Sequence, residues 1–172
     1  KTITTATATG IDTVTYGEWA DRTRRIATAL DTLGISPHGR VATFAWNTQR
    51  HLELYFAAPC SGRVLHTLNI RLFPEQLTYI VNHAEDEVIF IDRSLFALIA
   101  PLLPTFKTVK HLVIMDDGKG DVRRLREESR SFQTGQRQSQ MLARFFCSTG
   151  PVPHQAALPG WLLQVTVKFP LF

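Results

Sequence analysis

The segment Cys147-Ser148-Thr149-Gly150-Pro151-Val152-Pro153 offers a thiol, two hydroxyls and a glycine in one turn, a composition that could face a phosphate. A working phosphate loop also needs a lysine and further glycines, so that amides and a cation reach the oxygens together. Both are missing, and an ordinary Ser-Thr-Gly turn accounts for these residues. Asn69 and Arg71 follow a short apolar run, where open α/β sheets place ligands. An Asn that holds a turn and an Arg paired with a nearby acid explain them better. Glu85-Asp86-Glu87 gathers three carboxylates as a cation site would, but consecutive acids between a helix and a strand read as solvated. Arg22, Arg24 and Arg25 could meet anionic headgroups, yet Asp21 and Asp31 dilute their charge and a solvated face is expected. The six His residues show no metal-ligand spacing, and His66 reads as a packed ring rather than a base. Cys60 and Cys147 stand apart, without CxxC spacing, as reduced thiols of a cytoplasmic protein do. No G-x-G-x-x-G or P-loop lysine motif occurs. The residues therefore nominate no catalytic, cofactor-binding or metal-ligating group.

The elements that would position such groups are clear over residues 1–118. Lys1–Thr9 and Thr13–Tyr16 are Thr- and Val-rich and flank Gly10-Ile11-Asp12, which predicts a hairpin turning there. Thr15 and Glu18 have capping-box spacing. Trp19, Ile26, Ala27, Leu30 and Leu33 then keep helical period up to Gly34, a left-handed stop. Ile35–Gly39 is a turn and Arg40–Trp46 a buried strand. Asn47 is the expected cap of a helix carrying Leu52, Tyr55, Phe56 and Ala58 toward the core, with Pro59 disturbing its last turn and Gly62 ending it. Val64–Leu68 is a strand. Pro74 opens a helix with Leu77, Ile80 and Val81 as its stripe. Glu87–Ile91 is a strand covered on both faces, followed by a helix from about Ser94 to Leu103 and a strand at His111–Met115. This alternation predicts an α/β fold with a mainly parallel sheet.

After Gly118 the pattern fails. Asp121–Arg130 could form a charged helix, but Ser131–Gln140 has no period, and Gln occurs six times in residues 119–172 against twice before. Pro151, Pro153, Pro159 and Pro170 interrupt the rest, and the apolar run Trp161–Phe172 has no evident sheet to join. Residues 119–172 are expected to be a poorly ordered, irregular tail, because ordering each residue costs roughly 1–2 kcal/mol of backbone entropy. The net charge of +4 sits in that tail: residues 1–118 hold 11 basic and 12 acidic side chains, residues 119–172 hold 8 and 3. A basic nucleic-acid face is therefore not expected. No apolar run reaches about 18 residues, so no transmembrane segment is expected, and Lys1–Gly10 is too polar for a signal peptide. The first residue is not Met, which predicts that the reading frame starts upstream.

Several stretches carry a family resemblance. Tyr16-Gly17-Glu18-Trp19-Ala20 running to Leu33-Gly34-Ile35, Arg40–Phe44 with Trp46-Asn47, and Gly62–Leu72 resemble the opening of an AMP-forming acyl-CoA synthetase. Phe73-Pro74-Glu75-Gln76-Leu77-Thr78-Tyr79-Ile80-Val81-Asn82-His83-Ala84-Glu85-Asp86 resembles the long- and medium-chain fatty-acid branch, and His111–Asp116 the strand that follows. The similarity covers about residues 1–118. It implies the first subdomain of an adenylate-forming enzyme, whose parent uses a fatty acid, ATP, Mg²⁺ and CoA. The acid's carboxylate attacks the α-phosphate of ATP, releasing pyrophosphate, and the CoA thiol then displaces AMP from the acyl-adenylate.

The family's Thr-Ser-Gly-Thr-Thr-Gly-x-Pro-Lys-Gly loop, adenine-binding segment and catalytic Lys have no counterpart in this chain. The resemblance thus implies an amino-terminal fragment, inactive alone and binding no cofactor, with a reading-frame shift or chimeric junction near Gly118. Two alternatives remain: a non-catalytic α/β interaction module that self-associates through uncovered sheet surface, and a flavodoxin-like nucleotide binder. The second lacks a phosphate-binding turn after its first strand.

Overall fold

The computed structural model describes residues 1–7, 10–115 and 162–165. Strands β1 (Thr2–Thr7) and β2 (Gly10–Thr15) pair antiparallel, with Thr2 opposite Thr15 and Thr5 opposite Asp12. The hairpin is as expected but its turn is not. Gly10, Ile11 and Asp12 are already ladder residues of β2, and the link falls between residues 7 and 10, because every one of them has a partner on β1.

Helix α1 (Tyr16–Thr32) starts at the capping box: the Glu18 amide donates to Thr15 Oγ1 at 3.2 Å, and the Thr15 amide donates to Glu18 Oε2 at 2.8 Å. Both Thr15 bonds favour the charged form and hold the Glu18 carboxyl below its ordinary value. The helix buries Ile26, Ala29 and Leu30 and stops at Gly34, φ 69°.

From there strands and helices alternate. β3 (Arg40–Phe44) leads to α2 (Gln49–Cys60), then β4 (Val64–Thr67), α3 (Pro74–Ala84) and β5 (Asp86–Asp92). A short helix α4 (Phe96–Ile99) lies between 3₁₀ turns at Arg93–Leu95 and Ala100–Thr105, before β6 (His111–Met115). The continuous helix expected over 94–103 is broken because Pro101 and Pro104 have no N–H to give to an α-helical ladder.

The second sheet has the order β4-β3-β5-β6-β7, where β7 is Leu162–Val165. The first four strands are parallel and β7 is antiparallel to β6, Leu112 opposite Val165. The expectation that the terminal apolar run has no sheet to join is corrected for Leu162–Val165, which the β6 edge receives. The Asp121–Arg130 segment and the Cys147–Pro153 turn lie outside the described residues.

Successive side chains of a strand point to opposite faces, so each strand feeds two cores. Val41, Val88, Phe90, Val113 and Met115 meet Ile26 and Leu30 of α1 and Leu54, Ala57 and Ala58 of α2. Ala42, Phe44, Ile89, Ile91 and Ile114 meet Leu77 and Val81 of α3, with Phe96 and Ile99 of α4. The turns at the amino ends of β3 and β4 are tied by Arg63, whose guanidinium donates to the Ile35 and Ser61 carbonyls and to Asp31 Oδ1 at 2.8 Å.

Two details of α2 differ from the sequence reading. Its cap is Thr48, whose hydroxyl accepts from the His51 amide, rather than Asn47. Of the four residues expected to face the core only Ala58 does so, while Leu52, Tyr55 and Phe56 are exposed. Two apolar stripes run along this helix at helical spacing, and the sheet takes the one containing Ala57 and Ala58, whose small side chains allow close approach.

At Gly34 an added Cβ would meet nothing within 4 Å, so a substitution there strains only the backbone. Gly34→Ala is expected to cost about 1 kcal/mol in urea denaturation, with an unchanged m-value.

Candidate functional site

The sheet order makes β3–β5 the point where successive crossovers diverge to opposite sides, and ligands of such sheets bind outside the carboxyl ends there. In this chain that crevice is filled by its own groups. The Trp46 amide, just past β3, donates to Asp92 Oδ2 at the end of β5 at 2.6 Å, and Trp46 Nε1 donates to Ser94 Oγ at 3.0 Å. The start of α2 is closed as well. The Gln49 amide donates to Thr5 Oγ1 of β1 at 3.0 Å, and the amides of His51 and Leu52 donate to Thr48. A phosphate needs amides that are still free. Beside this junction lies a groove of about 260 Å³ between β1 and α2, lined by Ile3, Asn47, Thr48, His51, Leu52 and Tyr55 among others. Within it His51 Nε2 is bonded to Thr43 Oγ1 at 2.9 Å. Burial holds the His51 ring below its usual value, with the Trp46 backbone acting the other way.

The residues singled out from the sequence are not brought together. Asn69 Oδ1 accepts from the Arg71 amide at 2.9 Å and so holds the turn, as expected, whereas exposed Arg71 makes no ion pair among the described residues. Glu85, Asp86 and Glu87 diverge, which corrects their reading as plainly solvated. Glu85 ends α3 with φ 55° and reaches Arg40 at 3.5 Å. Asp86 is fully buried, with both carboxylate oxygens 2.9 Å from His66 Nδ1. Glu87 accepts from the Ser36 amide and hydroxyl and from Lys110 Nζ. Burial pushes Glu87 up, but the bonds from Lys110 and Ser36 outweigh it and leave the carboxyl below its ordinary value. His66 is thus more than a packed ring: it answers a buried carboxylate, and among the described residues it bonds no nucleophile.

Of the three arginines on α1, Arg25 pairs with Asp21 at 2.6 Å, Arg24 is exposed and Arg22 reaches Glu53 at 3.8 Å. Cys60 is a free, exposed thiol. No group of three or more His, Cys, Asp or Glu among the described residues is placed to hold a metal. No described helix is long and apolar enough to cross a membrane.

Sequence reasoning missed the buried polar groups Glu53, Asp92, His51 and Arg63. Glu53 carries the clearest available signal, being an acid between Leu52 and Leu54 with Arg22 one helix earlier. Its side chain is fully buried between α1 and α2, and burial pushes it up to about 7 against opposing pulls from Arg22, Arg50 and Gln49. Burial likewise pushes Asp86 up to about 6, with His66 and Arg40 opposing.

These features define a doubly wound α/β unit whose ligand crevice is closed by its own side chains. The sequence matches the AMP-binding enzyme family over residues 2–157, and the chain belongs to that family. The match runs past residue 118, where the composition changes. Among curated relatives, the 3-methylmercaptopropionyl-CoA ligase of Ruegeria lacuscaerulensis is 50% identical over 100 residues, covering 58% of this chain and 19% of that protein. The long-chain-fatty-acid–CoA ligase of Thermus thermophilus is 48% identical over 103 residues, covering 60% and 19%. A solved benzoate CoA ligase from Burkholderia xenovorans superposes with a TM-score of 0.59 at 26% identity, over 65% of this chain and 22% of that one. The chain spans about a fifth of the length of these ligases.

Because the folded chain holds the Glu53 proton up to about pH 7 and the unfolded chain only to the ordinary 4.5, stability falls as pH rises through that window. Asp86 adds to the fall over its lower part. Glu53→Gln is expected to raise stability near pH 8 by roughly 1–3 kcal/mol and to change it little near pH 5. Thermal melts of both proteins across this range check it; equal destabilisation at both ends would contradict it.

Proposed function

We propose that this chain is the amino-terminal structural part of an AMP-forming acyl-CoA ligase acting on a fatty or similarly apolar carboxylic acid. The family match over residues 2–157 carries this reading, supported by relatives that are themselves CoA ligases. In the whole enzyme the acid's carboxylate oxygen bonds to the α-phosphorus of ATP and pyrophosphate leaves. The CoA sulfur then bonds to the acyl carbon of the adenylate and AMP leaves. The described residues do not fit the groups this needs. The Trp46, Gln49 and His51 amides, beyond the carboxyl end of β3, are engaged by Asp92, Thr5 and Thr48, and no carboxylate set among the described residues is placed for Mg²⁺. ATP, Mg²⁺ and CoA are therefore assigned to the remainder of the enzyme, and this chain contributes scaffold. The free Cys60 fits a reducing cytoplasm.

The purified chain is expected to show no acid-dependent pyrophosphate release. Release should appear when the chain is mixed with a Thermus thermophilus long-chain ligase lacking its aligned segment of about 100 residues. Turnover by the chain alone would refute its inactivity, and failure to restore turnover in the mixture would refute the scaffold assignment.

A further inference from the structure

Helix α2 carries apolar residues on two sides, with Leu54, Ala57 and Ala58 packed in the core beneath the sheet. From His51 onward its buried residues include His51 and Glu53, whereas its exposed residues are Leu52, Tyr55, Phe56, Pro59 and Cys60, none of them charged. A helix on a protein surface ordinarily puts its charges outward, and one that is apolar all round is covered on both sides. The exposed patch continues onto α1. Trp19 packs edge-on against Phe56 with ring centroids 4.9 Å apart, and Tyr16, 52% exposed, meets Trp19 at 6.1 Å. At its other end the patch opens into the groove between α2 and β1, where Leu52 and Tyr55 form one wall and Ile3 belongs to the other. Exposed Phe73, by contrast, stands between Arg71 and Glu75.

We infer that the outward face of α2, with Trp19 and the adjoining groove, is the seat on which the rest of the acyl-CoA ligase polypeptide packs. The inference rests on the functional reading above. The ligases it resembles are about five times as long as the part it matches, so most of such an enzyme lies beyond this unit and must bury surface against it. The composition of the face suits that occupant. It is aromatic, uncharged and continuous over two helices, as permanent interfaces are, which resemble a domain core cut in half. The exposed residues of α2 from Leu52 onward place no charged group opposite an anionic or nucleotide ligand.

The test uses the full 172-residue chain in sedimentation velocity, titrated with the Thermus thermophilus ligase lacking its aligned segment. The variant is Leu52→Ser, Tyr55→Ser and Phe56→Ser together. The control is Phe73→Ser, Tyr79→Ser and Leu98→Ser, three apolar positions that are likewise exposed. Circular dichroism melts establish that both fold, and Tyr55→Ser alone carries the comparison if the triple variant does not. The unsubstituted chain and the control should form a one-to-one complex, and the α2 variant should bind on the order of a hundredfold more weakly. Equal binding by the α2 variant would overturn the inference while leaving the functional reading intact. So would a dimer of this chain, abolished by the same substitutions, that the truncated ligase does not displace. Failure of the unsubstituted chain and the control alike to bind would overturn both.

Discussion

Strands β3 and β5 pair in parallel with Val41, Ala42, Thr43 and Phe44 opposite Val88, Ile89, Phe90 and Ile91, and all eight are fully buried. Strands covered on both faces cannot be stabilised by one layer of helices. Parallel pairing also demands a crossover connection each time the chain returns. The crossover through α2 joins β3 to β4, and α3 carries the chain back across to β5 on the far face. The hairpin, the Arg63 tie and the caps are arranged around that pair. Thr5 of β1 stoppers the start of α2, and Arg63 locks the turns that enter β3 and β4.

The same constraint decides what the polar groups do. β5 begins at Asp86 and ends at Asp92, both fully buried, so each carboxylate needs a donor close by. Asp86 takes His66 from β4, and Asp92 takes the Trp46 amide at the carboxyl end of β3. These pairings look like the beginnings of an active site, with an Asp–His pair and a buried acid at a strand end. They are internal closures of the fold. Asp92 sits where a doubly wound sheet would receive a nucleotide, and by accepting the Trp46 amide it fills that place.

Most of the architecture was legible in the sequence, because apolar period and stop signals act locally. Thr15 with Glu18, Gly34, Gly62 and Pro74 mark ends that the structure keeps. Long-range choices were not legible. Leu52, Tyr55 and Phe56 form as good a helical stripe as Leu54, Ala57 and Ala58, and only the distance to the sheet selects the smaller set. Consecutive acids at 85–87 look solvated until strand order sets β4 and β5 on either side of β3, with His66 opposite Ala42 and Asp86 opposite Arg40. The β7 pairing depends on an edge formed by residues 47 or more positions earlier, which no local pattern at Leu162–Val165 encodes. For the site, the engagement of the amides beyond β3 required the fold.

The central claim is that the described residues of this chain form a self-contained two-faced core whose amides beyond β3 are engaged from within. Amide hydrogen exchange on the 172-residue chain, with and without Mg²⁺-ATP and a fatty acid, tests it most directly. The account predicts that amides of β3, β5 and β6 exchange slowest and as one group, with no protection changed by the additions. Nucleotide-dependent protection at residues 45–52 or 92–95, or exchange of β3 and β5 as fast as the β1–β2 hairpin, would contradict it.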